Sequence, residues 1–158
     1  MRHKGWILLA ALWTSSAWGH GTEQAPAPEA EQQEWGIAGD PAAVTRSVTV
    51  RMLDSMRFVP DALQVRLGET VRFVVVNDGA LLHEFVLGTR AANAAHAEQM
   101  LIFPNMEHDG AHMAHVPPGD KGEVVWHFNR PGVFEYACLL AGHYQAGMRG
   151  TITVTPKQ

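Results

Sequence analysis

The chain has 158 residues, 12 Lys and Arg against 16 Asp and Glu, and a single cysteine. That length supports one hydrophobic core. The acidic balance argues against nucleic acid and an anionic membrane surface as partners, and one cysteine excludes an intrachain disulfide.

The first stretch, "MRHKGWILLAALWTSSAWG", has a basic leader in Arg2, His3 and Lys4. An apolar run from Gly5 to Trp13 follows, too short to span a bilayer. Ala17 and Gly19 then place small residues where a signal peptidase reads. Residues 1–19 are therefore expected to be a secretory signal peptide, cleaved after Gly19 or after Ala17. No membrane span remains after cleavage, and the periplasm is the expected destination. Loss of Arg2 and Lys4 leaves 10 basic against 16 acidic residues, a net charge of −6.

Residues 20–45 are rich in Ala, Pro, Gln and Glu and show neither a helical nor a strand period. They read as a flexible acidic linker to a domain at 46–158. From Ser47 the texture changes. "SVTVRML" alternates apolar and polar residues, as do Leu63, Val65 and Leu67. Val71 to Val76 is a β-branched run closed by Asn77-Asp78-Gly79. "LLHEFVLG", "GEVVWHFNRPG", "GVFEYAC" and "RGTITVT" supply further short strands, with Pro60, Pro117, Pro118 and Pro131 between the runs. "RAANAAHAEQMLIF" has no alternation and is rich in helix formers, so a short helix is expected at about 90–102. "PNMEHDGAHMAHVPPGDKG" reads as a loop. The pattern predicts an all-β sandwich or Greek-key barrel with one helical insertion.

Cys138 is followed five residues later by His143 and five later again by Met148. An unpaired thiol in an oxidising compartment is a liability. It can be buried and inert, it can pair with another chain, or it can be held as a thiolate by a metal. Two imidazoles, a thiolate and a weak thioether are the donor set of a mononuclear type 1 copper site. One strand-to-strand loop carries three of the four. His83, which follows the Asn77-Asp78-Gly79 turn and opens an apolar strand, is the best second imidazole. Zinc is the chemical rival, but a thioether is a poor zinc ligand. Met148 is the least secure donor, because axial contacts are weak.

"NDGALLHEFVLG", "FEYACLLAGHYQAGMRGTITV" and the upstream "RFVPDALQVRLGETVRFVVVN" together resemble the cupredoxins over most of residues 47–155. Within that family the chain is most similar to periplasmic copper-tolerance cupredoxins of the CopI type. The resemblance implies a Greek-key β-barrel and one type 1 copper centre held by His83, Cys138, His143 and Met148. It also implies that Asn77 braces the ligand loop. The Cys-to-His gap is longer than in plastocyanin-like members and nearer that of azurin or rusticyanin.

Residues 96–115 hold a second set of soft donors: His96, Met100, Met106, His108, His112, Met113 and His115. Thioethers with imidazoles suit Cu(I), and imidazoles suit Cu(II). Met106, His108, His112, Met113 and His115 are therefore candidates for auxiliary copper, against the plainer reading of a solvated polar loop. His20, as a new N-terminus, would offer its α-amine and imidazole to one Cu(II). His127 lies within a strand and reads as structural.

Three roles compete. The first is copper tolerance, with the protein binding copper and redox-cycling it. The second is a small electron carrier that docks a redox partner at an apolar patch of Leu139, Leu140, Ala141 and Ala146 around His143. The third, a copper enzyme, needs further catalytic copper held by additional histidines. This chain has one domain and no His-x-His pair, so a non-enzymatic monomer is expected.

Overall fold

The computed structural model describes residues 30–106 and 108–156. Ten strands, one helix and one 3-10 turn follow in order. They are β1 (Ile37–Ala38), the turn (Pro41–Ala43), β2 (Arg46–Leu53), β3 (Arg57–Val59), β4 (Ala62–Arg66) and β5 (Thr70–Asn77). After these come β6 (His83–Gly88), α1 (Arg90–Ile102), β7 (Met113–Val116), β8 (Lys121–His127), β9 (Gly132–Ala137) and β10 (Arg149–Thr155).

Two five-stranded sheets result, ordered β1-β8-β5-β2-β3 and β4-β10-β9-β6-β7. Both are mixed: β2 runs parallel to β5, and β4 runs parallel to β10. The inward residues of each sheet meet in one core. Val50, Met52, Phe73, Val75 and Trp126 come from the first, and Phe85, Leu87, Phe134, Tyr136 and Ile152 from the second. Fully burying each such side chain contributes about 1.5–3 kcal/mol. The expected all-β sandwich is thus observed, with each apolar–polar alternation placed on a strand.

β6 departs from simple alternation, because all six of its residues are buried. Side chains still alternate across the sheet. Phe85 and Leu87 enter the main core. Val86 enters a smaller cluster with Ala97 and Met100 of α1, together with Met113, Ala137, Leu139 and Tyr144. The helix therefore roofs the outer face of this sheet. It starts at Thr89, whose side chain accepts a hydrogen bond from the Ala92 amide at 3.1 Å. It stops before Pro104, and Asn93, Ala97 and Met100 form its buried stripe.

Two segments differ from the sequence reading. The loop expected after the helix contains β7, which pairs antiparallel with β6. Its "MAHV" is too short for a period to register. The stretch expected as a linker also carries structure in its second half. β1 pairs with β8, and the Trp35 carbonyl accepts a hydrogen bond from Trp126 Nε1 at 2.9 Å. Trp35 stacks near Trp126, ring centroids 6.5 Å apart. The signal-peptide reading for residues 1–19 lies outside the described residues, as do residues 20–29. Among the described residues, no helix is long and apolar enough to cross a membrane.

Candidate metal centre

His83, Cys138 and His143 converge at one end of the sandwich, with a ligand atom from each within 4.8 Å of the others. His83 opens β6. Cys138 follows the last residue of β9. His143 and Met148 lie on the loop that runs from β9 to β10. This loop is a chain of tight turns. The His143 amide donates to Leu140 O, Ala146 to Gly142 O, Gly147 to Tyr144 O and Met148 to His143 O, all at 2.9–3.0 Å. Gly142 and Gly147 supply the positive φ values of 88° and 93° that these reversals need. The Cys138 amide donates to Met148 O at 3.0 Å, which closes the loop on itself. Met148 is fully buried within the main core.

The donor atom of His83 is free to receive a metal. His83 Nε2 lies 3.0 Å from Asp54 Oδ1, so Nε2–H donates and the lone pair is left on Nδ1. That Nδ1 is buried without a hydrogen-bond partner, an arrangement typical of a metal-ligating histidine oriented by a carboxylate. Asp54 also accepts from the Ala80 amide and the Leu81 amide. These hydrogen bonds, that of Ala80 first, hold its carboxyl below the ordinary range. His143 Nδ1 faces Cys138 Sγ at 3.3 Å, and the two imidazole rings are 5.2 Å apart. Burial, and then the neighbouring His83, hold His143 below the usual imidazole range. Burial pushes the Cys138 thiol up to about 12, and the charge of Glu84 adds to this. The sulfur accepts a hydrogen bond from the Glu84 amide at 3.3 Å. Such a contact tunes a metal thiolate.

Asn77 is buried and braces a different segment from the one expected. Its side chain donates to Leu81 O at 2.7 Å and Val116 O at 2.8 Å and accepts from the Gly79 amide at 2.9 Å. It fixes the approach to His83 rather than the loop of Cys138. Asp54, which the sequence reading missed, lies 29 positions from His83, and no local motif links the two. The expected apolar patch is also altered. Leu139 is fully buried under the helix, while Leu81 and Leu82, directly before His83, are 47% and 43% exposed.

The second set of soft donors divides. His108 and His115 come together, rings 5.1 Å apart, and a third group not anticipated from sequence, Glu84, joins them with its carboxylate. They line a cavity of about 260 Å³ with Met100, Met106 and Leu140. His96 stands beside His108, rings 4.6 Å apart. His112 is placed elsewhere, edge-on to Trp35 and Trp126 at 5.7 and 6.2 Å. Met113 is buried in the small cluster beneath α1. His20 lies outside the described residues. His127 accepts or donates a 2.9 Å hydrogen bond with Thr70, the structural role expected of it.

Residues 44–155 match the family of copper binding proteins described as plastocyanin/azurin. The chain is 44% identical over 154 residues to the copper-resistant cuproprotein CopI of Rubrivivax gelatinosus, covering 94% of this chain and 93% of that one. It is 37% identical to the protein of the same name from Pseudomonas aeruginosa, covering 95% and 94%. Among solved structures, auracyanin B superposes with a TM-score of 0.60 at 28% identity, covering 72% of this chain and 91% of that one. Fold, converging donors and sequence agree: the chain belongs to the plastocyanin/azurin family of copper-binding proteins.

Proposed function

We propose that this protein binds one copper ion through His83, Cys138, His143 and Met148 in the periplasm and contributes to copper tolerance by holding and redox-cycling it. The observation that carries the reading is the convergence of two imidazoles on Cys138, one of them with a buried Nδ1 that has no other partner. The names of the two relatives support copper resistance as the context, and the expected signal peptide supports the compartment. The bound copper would supply one-electron chemistry between Cu(I) and Cu(II). The protein's part is rigidity: a loop closed by its own hydrogen bonds, and a histidine fixed by Asp54, keep the donors still between oxidation states. His108, His115 and Met106 support auxiliary binding of copper in their shared cavity, and an N-terminal His20 would add a further grip on Cu(II). The protein acts as a binding and redox protein rather than an enzyme.

A second reading is a dedicated electron carrier. Ala141 and Ala146 are exposed on the loop of the half-buried His143, and exposed Leu81 and Leu82 directly precede His83. A small apolar face of this kind suits rapid docking and release of a redox partner by a monomer. Two measurements test these readings. Cu(II)-loaded protein is expected to absorb strongly in the visible from thiolate-to-copper charge transfer, and Cys138→Ser is expected to abolish the band. Survival of the band in that variant would reject the centre. Copper equivalents per chain, compared between wild type and a His108/His115→Ala double variant, separate tolerance from simple carriage. One equivalent in both would favour the carrier.

A further inference from the structure

Glu84 stands between the two donor clusters. It is fully buried. Its Oε2 accepts a hydrogen bond from the Leu139 amide at 3.3 Å. Its Oε1 has no hydrogen-bond partner, although His115 Nε2 is 2.9 Å away and His108 Nε2 is 3.4 Å away. A buried carboxylate oxygen left unpaired is costly. His108 makes the arrangement more specific. Its Nδ1 lies 2.9 Å from the carbonyl oxygen of Met106, a contact that only an Nδ1–H can make. In the neutral ring this leaves the lone pair on Nε2, which is buried, has no partner and faces the carboxylate. Two electron-rich atoms aimed at each other repel unless a proton or a metal cation lies between them. His115 is placed for the same task by register, directly opposite Glu84 in the β6–β7 ladder. His96 adds a further buried Nε2 without a partner.

The presence of the carboxylate changes which metal the cavity suits. Thioethers and imidazoles alone favour Cu(I). An anionic oxygen with two imidazole nitrogens favours a borderline divalent cation, Cu(II) or Zn(II). We propose that Glu84, His108 and His115 form a second metal site for such a divalent cation, and that Glu84 couples this site to the thiolate of Cys138. The site itself deepens the auxiliary-binding reading of His108 and His115, and the coupling rests on the copper assignment of Cys138. The physical link is short. The residue whose carboxylate would take the cation also donates its amide to Cys138 Sγ at 3.3 Å, and the carboxylate accepts from the amide next to Cys138. A divalent cation on Glu84 cancels negative charge close to the sulfur. That favours Cu(I) over Cu(II) and raises the reduction potential of the copper centre. By linkage, the reduced protein binds the divalent cation more tightly than the oxidised protein.

The test uses mature protein loaded with one copper, and Zn(II) as a redox-silent probe. One equivalent of zinc is expected to bind beyond the copper. Affinity is expected to fall by at least about tenfold in Glu84→Gln and in His115→Asn. The His115 variant changes a partly exposed side chain, so it serves if Glu84→Gln does not fold. Zinc is also expected to raise the reduction potential and shift the visible band in wild type, but not in His115→Asn. Zinc uptake that is absent, or unchanged in both variants, overturns the site. An ion pair between Glu84 and protonated His115 would give that first result. Zinc uptake with an unmoved potential overturns the coupling alone. Cu(I), added in a parallel titration, separates the two levels: cavity binding of Cu(I) without zinc binding would keep the auxiliary reading and reject the divalent site.

Discussion

Asp54 shows how little of the proposed metal centre would be contained in its ligands. It reaches His83 from the turn after β2 and also ties down the amides of Ala80 and Leu81. Asp54→Asn keeps the shape but weakens the grip on the imidazole. Copper retention is expected to fall by about 10- to 100-fold, measured by competition with a chelator, with an accompanying change in reduction potential. An unaltered affinity would mean that packing alone orients the ring. Cys138 offers a second check. Its thiol is fully buried and its pKa is pushed up to about 12, so the metal-free protein has almost no thiolate near neutral pH. Alkylation by iodoacetamide is expected to be slow in the folded apoprotein and fast once denaturant is added. Equal rates would place the sulfur in solvent.

At the scale of elements, α1 and the ligand loop are joined through one buried acid. Glu135 accepts from the Tyr144 hydroxyl at 3.1 Å and from Asn93 at 3.4 Å. Burial outweighs these hydrogen bonds and holds its carboxyl above the ordinary range. The folded protein thus prefers the protonated acid. That contribution is complete below the unfolded-state pKa of about 4.3 and is lost as pH rises through the folded value. Glu135→Gln is expected to gain melting temperature relative to wild type as pH is raised from acid to neutral. Parallel profiles would show that ionisation there carries no cost. Asn77 is the other tie. Asn77→Ala strands the buried Val116 carbonyl together with the part-buried Leu81 carbonyl and Gly79 amide and is expected to cost about 3 kcal/mol in denaturant unfolding. Much of this architecture was legible in sequence, because the period-two "SVTVRML", the β-branched run in "TVRFVVVN" and the Ala-rich "RAANAAHA" report their own conformations. His83 was legible for a similar local reason, since it follows a turn and opens an apolar strand. Asp54 and Glu84 were not. Each acts through a partner dozens of positions away, and an acidic residue in a strand or turn carries no local sign of what it will face.

For the whole molecule, the sandwich is closed by a strap that the composition disguised. Trp35 lies in a stretch dominated by Ala, Gln and Glu, yet it packs against the main core and accepts from Trp126. Trp35→Ala is expected to lower unfolding free energy by about 2 kcal/mol, less than for a fully enclosed tryptophan, and to leave the visible copper band in place. Loss of the band would mean that the strap also shapes the metal site. The alternation of β6 has a wider consequence. His83 and Glu84 are neighbours in sequence but serve opposite faces of one strand. A slip of one residue exchanges the faces, sending the carboxylate toward the sulfur-bearing end and the imidazole under the helix. A slip of two restores the faces but displaces both groups by about 6.8 Å. Insertions and deletions in the turn at 79–82 therefore act on both clusters together. In evolution the pair would be kept or lost as a single frame, with neither member free to drift alone.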